Sequence, residues 1–238
     1  MSLPPFKAAK LSEPRKLAVV TTSWDDGHPL DVRLAGLLAS CGLRGTFYVP
    51  VSAAGLQRMT KEQMLTIRRM GMEIGSHTVT HPILTLLDDA AVRRELVDSK
   101  KYLQTLLAEP VTAFCYPMGV FNRRLSSLVR GAGYQVGRTT MAFRTDHEFD
   151  PIRMPVSFQF LPHPHQVHVR HALKEGNGKG LINWYRLWRM EKDLLRLSER
   201  MLEHILEFGG VLHIWGHSWE IEERGLWEIG RASCRERV

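Results

Sequence analysis

Cysteine is scarce in this 238-residue chain: three residues, at positions 41, 115 and 234, offer no pairing framework of the kind that staples small secreted domains. Long apolar runs are missing as well. None approaches the roughly 18 residues needed to span a bilayer, so no membrane-spanning segment is expected. Residues 1–16 hold Lys and Pro but no apolar h-region, so no secretory signal is read there and a cytoplasmic location is expected. A strong excess of one charge sign is also lacking, the formal net charge being +7. The basic residues fall in short pairs (Arg68-Arg69, Arg93-Arg94, Lys100-Lys101, Arg123-Arg124) that read as solvated helix faces, so no nucleic-acid partner is expected. A basic surface still suits an anionic substrate or a membrane face. Fixed-period repeats and low-complexity linkers are absent, which leaves one domain over residues 17–227 behind an N-terminal extension, 1–16. Residues 228–238 read as the translation of a sequencing-adapter oligonucleotide and are expected to be a non-native tail.

What is present is an alternation of short β-branched runs with longer helical ones, the pattern of repeated βα units around a parallel sheet. Strands are predicted over 17–23, 46–49, 72–75, 111–116, 134–138 and 211–215. Helices are predicted over 30–40, 61–70, 123–131 and 185–208, and from an Asp88 N-cap to residue 107, before Pro110. Residues 141–182, with Pro151, Pro155, Pro162 and Pro164, are predicted to be mostly irregular.

In α/β folds functional groups gather at the carboxyl ends of strands. Four polar clusters fall at such ends: Asp25-Asp26, His77 with His81, Cys115-Tyr116-Pro117, and His217. Neighbouring side chains of a strand point to opposite faces, so Asp25 and Asp26 can share a cleft only where the chain turns, at Gly27. Two adjacent carboxylates also call for a positive group. His77 and His81, at i and i+4, are expected on one side of a helical turn, close enough to share a metal ion. With a carboxylate they make a two-His-one-carboxylate set with open positions, the catalytic pattern; zinc, cobalt, manganese and iron(II) all suit it. His217, after a strand and a Gly, is placed to protonate a leaving amine, whereas His213 lies within the strand and reads as a core histidine.

Other strings read as bystanders. The histidine-rich 163–171 segment is placed on an irregular loop, away from the metal. Gly176-Asn-Gly178-Lys-Gly180 lacks the phosphate-cradle order and is read as a flexible loop. The Trp and Met residues between 184 and 190 are read mostly as core.

Together the strings Trp24-Asp25-Asp26-Gly27-His28, Gly75-Ser-His77-Thr-Val-Thr-His81-Pro82, Phe114-Cys-Tyr-Pro-Met-Gly119 and Val211-Leu-His-Ile-Trp-Gly-His217 resemble the motifs of the polysaccharide deacetylase family, the NodB-homology carbohydrate esterases. The resemblance implies an α/β fold, a distorted (β/α) barrel of about seven parallel strands. It implies a metal-dependent de-N-acetylase acting on an N-acetylated sugar or oligosaccharide, with zinc the first choice of divalent metal. In that scheme Asp25 is the base, Asp26, His77 and His81 are ligands, and His217 is the acid. Tyr116, Pro117 and Met118 would border the oxyanion, through a backbone N–H near Met118. The third motif departs from the family by carrying Cys115 where an Arg is usual; Arg138, at the end of the fifth strand, is the expected replacement. Asp146 and Asp150 are candidates for the fourth-motif aspartate. Trp215, Trp219 and Tyr116 suit either sugar stacking or the core. Two rival readings keep the fold: hydrolysis of a small cyclic imide or ureide, and non-catalytic carbohydrate binding.

Overall fold

The computed structural model describes residues 16–55 and 57–228; most of the N-terminal extension and all but Glu228 of the expected tail lie outside them. The βα alternation is realised in order. β1 (Ala18–Trp24) leads to α1 (Asp31–Ser40), β2 (Gly45–Val49) to α2 (Lys61–Arg69), and β3 (Glu73–Ser76) to α3 (Asp89–Leu107). β4 (Ala113–Cys115) is followed by α4 (Arg123–Gly131), then β5 (Val136–Arg138) and β6 (Phe158–Gln159). The helices α5 (His165–Lys174), α6 (Gly178–Arg186) and α7 (Leu194–Phe208) precede β7 (Gly210–Gly216) and α8 (Ser218–Glu223). Local chemistry sets the helix starts. Thr60 and Gln63 form a capping box on α2, and Asp88 accepts the Ala91 N–H of α3 at 2.7 Å, as expected of an N-cap.

All seven strands run parallel, in the order β5-β4-β3-β2-β1-β7-β6. The segment from Met154 to Phe160 joins the two edges. Met154 N–H donates to Gly137 O at 2.8 Å beside β5, and Phe160 N–H donates to Trp215 O at 2.6 Å on β7. The sheet thus curls into the expected distorted, partial barrel. One core lies under α1–α4, around Phe47, Ile67, Leu96 and Phe114; a second, with Trp184, Trp188, Met201 and Ile205, lies under α6 and α7.

The region after β5 differs from the sequence reading. Residues 165–174 and 178–186 are helices, not irregular chain or a flexible loop. The prolines sit before the helix: Pro164 is the N-cap residue of α5, a position where its missing N–H costs nothing. Asn177 caps α6 by accepting Gly180 N–H at 3.0 Å. A Cβ on Gly180 would lie 2.2 Å from Ala142 O, so this glycine serves close packing. The predicted helix 185–208 is broken, because Arg189 and Met190 take φ near +51° and Asp193 caps a fresh helix. Cys115 is a buried free thiol. No helix among the described residues is long and apolar enough to cross a membrane.

Candidate metal centre

Strand register carries the functional residues to one end of the sheet. Trp24 pairs with Gly216, Val49 with Ser76, Ser76 with Phe114, and Cys115 with Arg138. Asp25, His77, Tyr116 and His217 therefore all follow strand ends at one mouth.

Both carboxylates of the first cluster face that mouth because the chain turns where expected. Asp26 and Gly27 adopt φ of 74° and 60°, and a Cβ on Gly27 would press to 2.9 Å from Val49 Cγ1. His77 and His81 converge by a different route from the predicted helical turn. Residues 77–81 form a loop in which Thr78 and His81 take φ of 69° and 58°. Glu95 of α3 pins it by accepting the N–H groups of Val79 and Thr80 at 2.7 and 2.9 Å, a support the sequence reading missed.

The imidazoles meet in a T-shaped arrangement, with Nε2 of His77 and His81 3.0 Å apart and 3.8 and 3.6 Å from Asp26 Oδ1. Ligand atoms of the three residues lie within 4.8 Å of one another. Donors bound at about 2.0–2.2 Å around a tetrahedral cation stand roughly 3–3.5 Å apart, so this nitrogen-and-oxygen set fits a divalent ion. The tautomer fits too. His77 Nδ1 donates to Cys115 O at 2.9 Å, which leaves the Nε2 lone pair facing Asp26. Burial holds the His77 imidazolium pKa down to about 4, so the ring is neutral. Trp219 Nε1 donates to Asp26 Oδ2 at 3.3 Å, leaving Oδ1 toward the histidines.

Asp25 lies behind this set and is 4% exposed. The guanidinium of Arg138, the residue expected to replace the missing third-motif arginine, contacts both of its oxygens from β5. Arg138 is itself fully buried, its charge 4.7 Å from the Trp215 ring centre and 5.5 Å from that of Tyr48. Burial alone would raise the Asp25 pKa, but Arg138, with His77 and His217, outweighs it and brings it to about 2. Since that is below the ordinary 3.8, the ionised pair stabilises the fold above about pH 4, and the contribution is lost as pH falls toward 2. Removing the cation leaves a buried charge unpaired. Arg138→Met is therefore expected to destabilise the protein by about 3–5 kcal/mol, read as a lowered thermal midpoint. It should also lower turnover; a variant with unchanged activity would deny Arg138 any orienting part.

His217 lies across the cleft, its Nε2 3.7 Å from Asp26 Oδ2. Its Nδ1 is 2.7 Å from Glu220 Oε2, and Glu220 in turn accepts from Gln159 Nε2 at 3.0 Å. Burial opposes the imidazolium, but the hydrogen bond to Glu220 and the fields of Asp25 and Asp26 outweigh it, so the His217 pKa is raised. Ser218, next in the chain, donates to buried Asp31 of α1 and anchors this turn. Glu220 and Gln159 were not singled out in the sequence; the only signal was the i,i+3 spacing from His217. His213 is a core residue, as expected, bonded to Ser23 Oγ at 2.8 Å.

Several expectations are corrected. Tyr116 is 1% exposed, with its hydroxyl on Ile152 O and its ring against Phe114 and Phe121, so it is core and cannot stack on a substrate. Pro117 is likewise buried. Met118 does face the cleft, 68% exposed at φ 56°. Neither fourth-motif candidate reaches the site: Asp146 pairs with Arg144 and Lys179, and Asp150 with Arg130 and Arg153. Trp215 and Trp219 line the cleft. So do His163, His168 and His171, which places the histidine-rich segment on the cleft wall although not in the metal set. The cleft encloses about 580 Å³.

Comparison with known proteins agrees with this architecture. The family model described as Polysaccharide deacetylase matches residues 12–137, more than half of the chain, and the chain belongs to that family. The match takes in Asp25, Asp26, His77 and His81 but ends before His217. A curated relative, the putative polysaccharide deacetylase YxkH of Bacillus subtilis (strain 168), is 31% identical over 123 residues, 51% of this chain and 44% of that protein. The chain thus spans less than half of that relative's length. Among solved structures, Streptococcus pyogenes deacetylase PplD in complex with acetate has 22% identity and a TM-score of 0.55, covering 63% of this chain and 67% of that one. A family 4 carbohydrate esterase from Streptomyces lividans, also with acetate, has 16% identity, a TM-score of 0.50, and coverage of 86% and 81%. BA3943, a CE4 family pseudoenzyme from Bacillus anthracis, has 14% identity, a TM-score of 0.54, and coverage of 94% and 63%. At these identities the likeness is one of fold.

Proposed function

We propose that this protein is a metal-dependent hydrolase that removes N-acetyl groups from a carbohydrate. The observation that carries the reading is the meeting of His77, His81 and Asp26 within ligand range, with Asp25 on one side and His217 on the other. A divalent cation held by Asp26, His77 and His81, zinc before cobalt, manganese or iron(II), would polarise the acetamide carbonyl and acidify a water. Asp25, ionised and held by Arg138, takes a proton as the water oxygen bonds to the acetyl carbon. A backbone N–H at the exposed Met118 turn faces the developing oxyanion. His217, whose protonated form the Glu220 hydrogen bond favours, gives its proton to the amine as the C–N bond breaks, and acetate leaves. Trp219, half-buried at the cleft, offers an aromatic face to the sugar.

Substrates in keeping with this reading are an N-acetylated sugar precursor or a lipid-linked saccharide in the cytoplasm. The test is acetate release from a panel of N-acetylated sugars, after metal stripping and after addition of single divalent cations. Release that depends on added metal is the expected result. Full activity of the metal-free protein, or ring opening of small imides in place of acetate release, would overturn it. Unaltered substrate at saturating metal would favour a binding protein on the same fold.

A further inference from the structure

Helices α5 and α6, which pack against each other, and the turn that follows them carry two features on their exposed faces. Of the large hydrophobic side chains exposed among the described residues, six lie between positions 169 and 190: Val169, Leu173, Ile182, Tyr185, Leu187 and Met190. Leu173 is 71% exposed and Tyr185 67%. The same 22-residue stretch holds Arg170, Lys174, Lys179, Arg186 and Arg189 against one acid, Glu175. Five cations less one carboxylate leave +4, more than half of the +7 carried by the whole chain.

Four of the five cations are not spent on internal pairing among the described residues. Lys179 reaches Asp146 at 3.2 Å, while Arg170, Lys174, Arg186 and Arg189 make no ion pair among the described residues. Glu175 is turned inward, accepting the Thr140 hydroxyl. Helical spacing puts Val169, Arg170, Leu173 and Lys174 on one stripe of α5, and Lys179, Ile182, Tyr185 and Arg186 on one stripe of α6. The opposite faces carry the buried residues, Ala172 on α5 and Gly180 and Trp184 on α6. Each helix is thus anchored on one side and shows solvent a mixture of apolar and cationic groups on the other.

We propose that this surface docks the protein on an anionic lipid bilayer, without spanning it. Leu, Val and Ile side chains flanked by Arg and Lys, with a Tyr whose hydroxyl suits the wet boundary, are the composition of helices that lie in a membrane interface. A net charge of +4 over these 22 residues is complementary to anionic headgroups. The surface also adjoins the cleft, since His171, Lys174 and Lys192 line the cavity that holds the candidate metal centre. Docking there sets the cleft mouth beside the headgroups. The inference goes beyond the deacetylase reading and does not require it.

The test is sedimentation of the full chain with vesicles of phosphatidylcholine alone or mixed with phosphatidylglycerol. Binding is expected to the mixed vesicles only, and it should weaken as salt is raised. Each cation near an anionic surface contributes about fivefold in affinity, so Arg170→Glu with Arg186→Glu should weaken binding by more than about 25-fold. Leu173→Ser with Tyr185→Ser should weaken it too, with an unchanged thermal midpoint because both side chains are exposed. Equal binding to both vesicle types, no binding, or wild-type binding by both double variants would overturn the proposal. So would a concentration-dependent dimer, abolished by the Leu173 and Tyr185 changes, in a protein that ignores vesicles. Acetate release plays no part in the readout, so failure of the deacetylase reading leaves this result standing.

Discussion

Asp25→Asn is expected to lower turnover by about 10²–10⁴-fold while the protein keeps its metal. The substitution preserves shape and removes the negative charge and the basic oxygen that accepts a proton. It leaves Asp26, His77 and His81 untouched, and the Asp26 turn is set by backbone dihedrals rather than by the Asp25 carboxylate. Arg138 would then face an amide, a buried cation without its anion, so the thermal midpoint should fall as well. The decisive measurement is therefore paired: bound metal per chain beside the rate of acetate release at a temperature where the variant is folded. A variant that retains both metal and near-normal turnover would remove Asp25 from the role of base. Loss of metal together with activity would instead make Asp25 a ligand, an arrangement within reach because Asp25, His77 and Cys115 also present ligand atoms within 4.8 Å of one another.

The second large effect is loss of the metal itself. Asp26→Ala and His81→Ala each remove one of three protein ligands, and even outer partners of such ligands change affinity 10–100-fold. More than about 100-fold weaker binding is expected, enough to strip the variants in dialysis. Wild-type protein at a metal concentration 100 times its Kd should gain about 2.7 kcal/mol in stability, a gain both variants should lack. Thermal melts with and without metal read this without any substrate. A wild-type midpoint indifferent to every divalent cation would remove the basis of the site. His81 is the better probe: it is less buried than His77, which also serves the core through Cys115 O.

Legibility of the site followed the range of the interactions. Asp25-Asp26-Gly27 was readable because its logic is local: a strand ends and a glycine permits the turn. The pair His77 and His81 was readable as a pair, although its backbone was not. Left-handed residues at Thr78 and His81 are rare for non-glycines and leave no signature, and the carboxylate that steadies them, Glu95, is on the next helix. The prolines of 151–164 do not forbid the helix that follows, because a proline before a helix start is neutral. The apolar periodicity of 185–208 concealed a break, since Trp188 stays buried without helical continuity.

The order of the βα units, the placing of ligand-type residues after strands, and the mouth at which they collect were all legible in the chain. Each of these rests on patterns a few residues long. Long-range packing settles that Glu220 and Gln159 hold His217 and that Tyr116 turns into the core, and it carries out the expected meeting of Arg138 with Asp25 across 113 positions. Those outcomes depend on which strands become neighbours and in what register. Burial then removes water as a competing partner, so a charge such as Asp25 must find its counterpart wherever the fold has carried it.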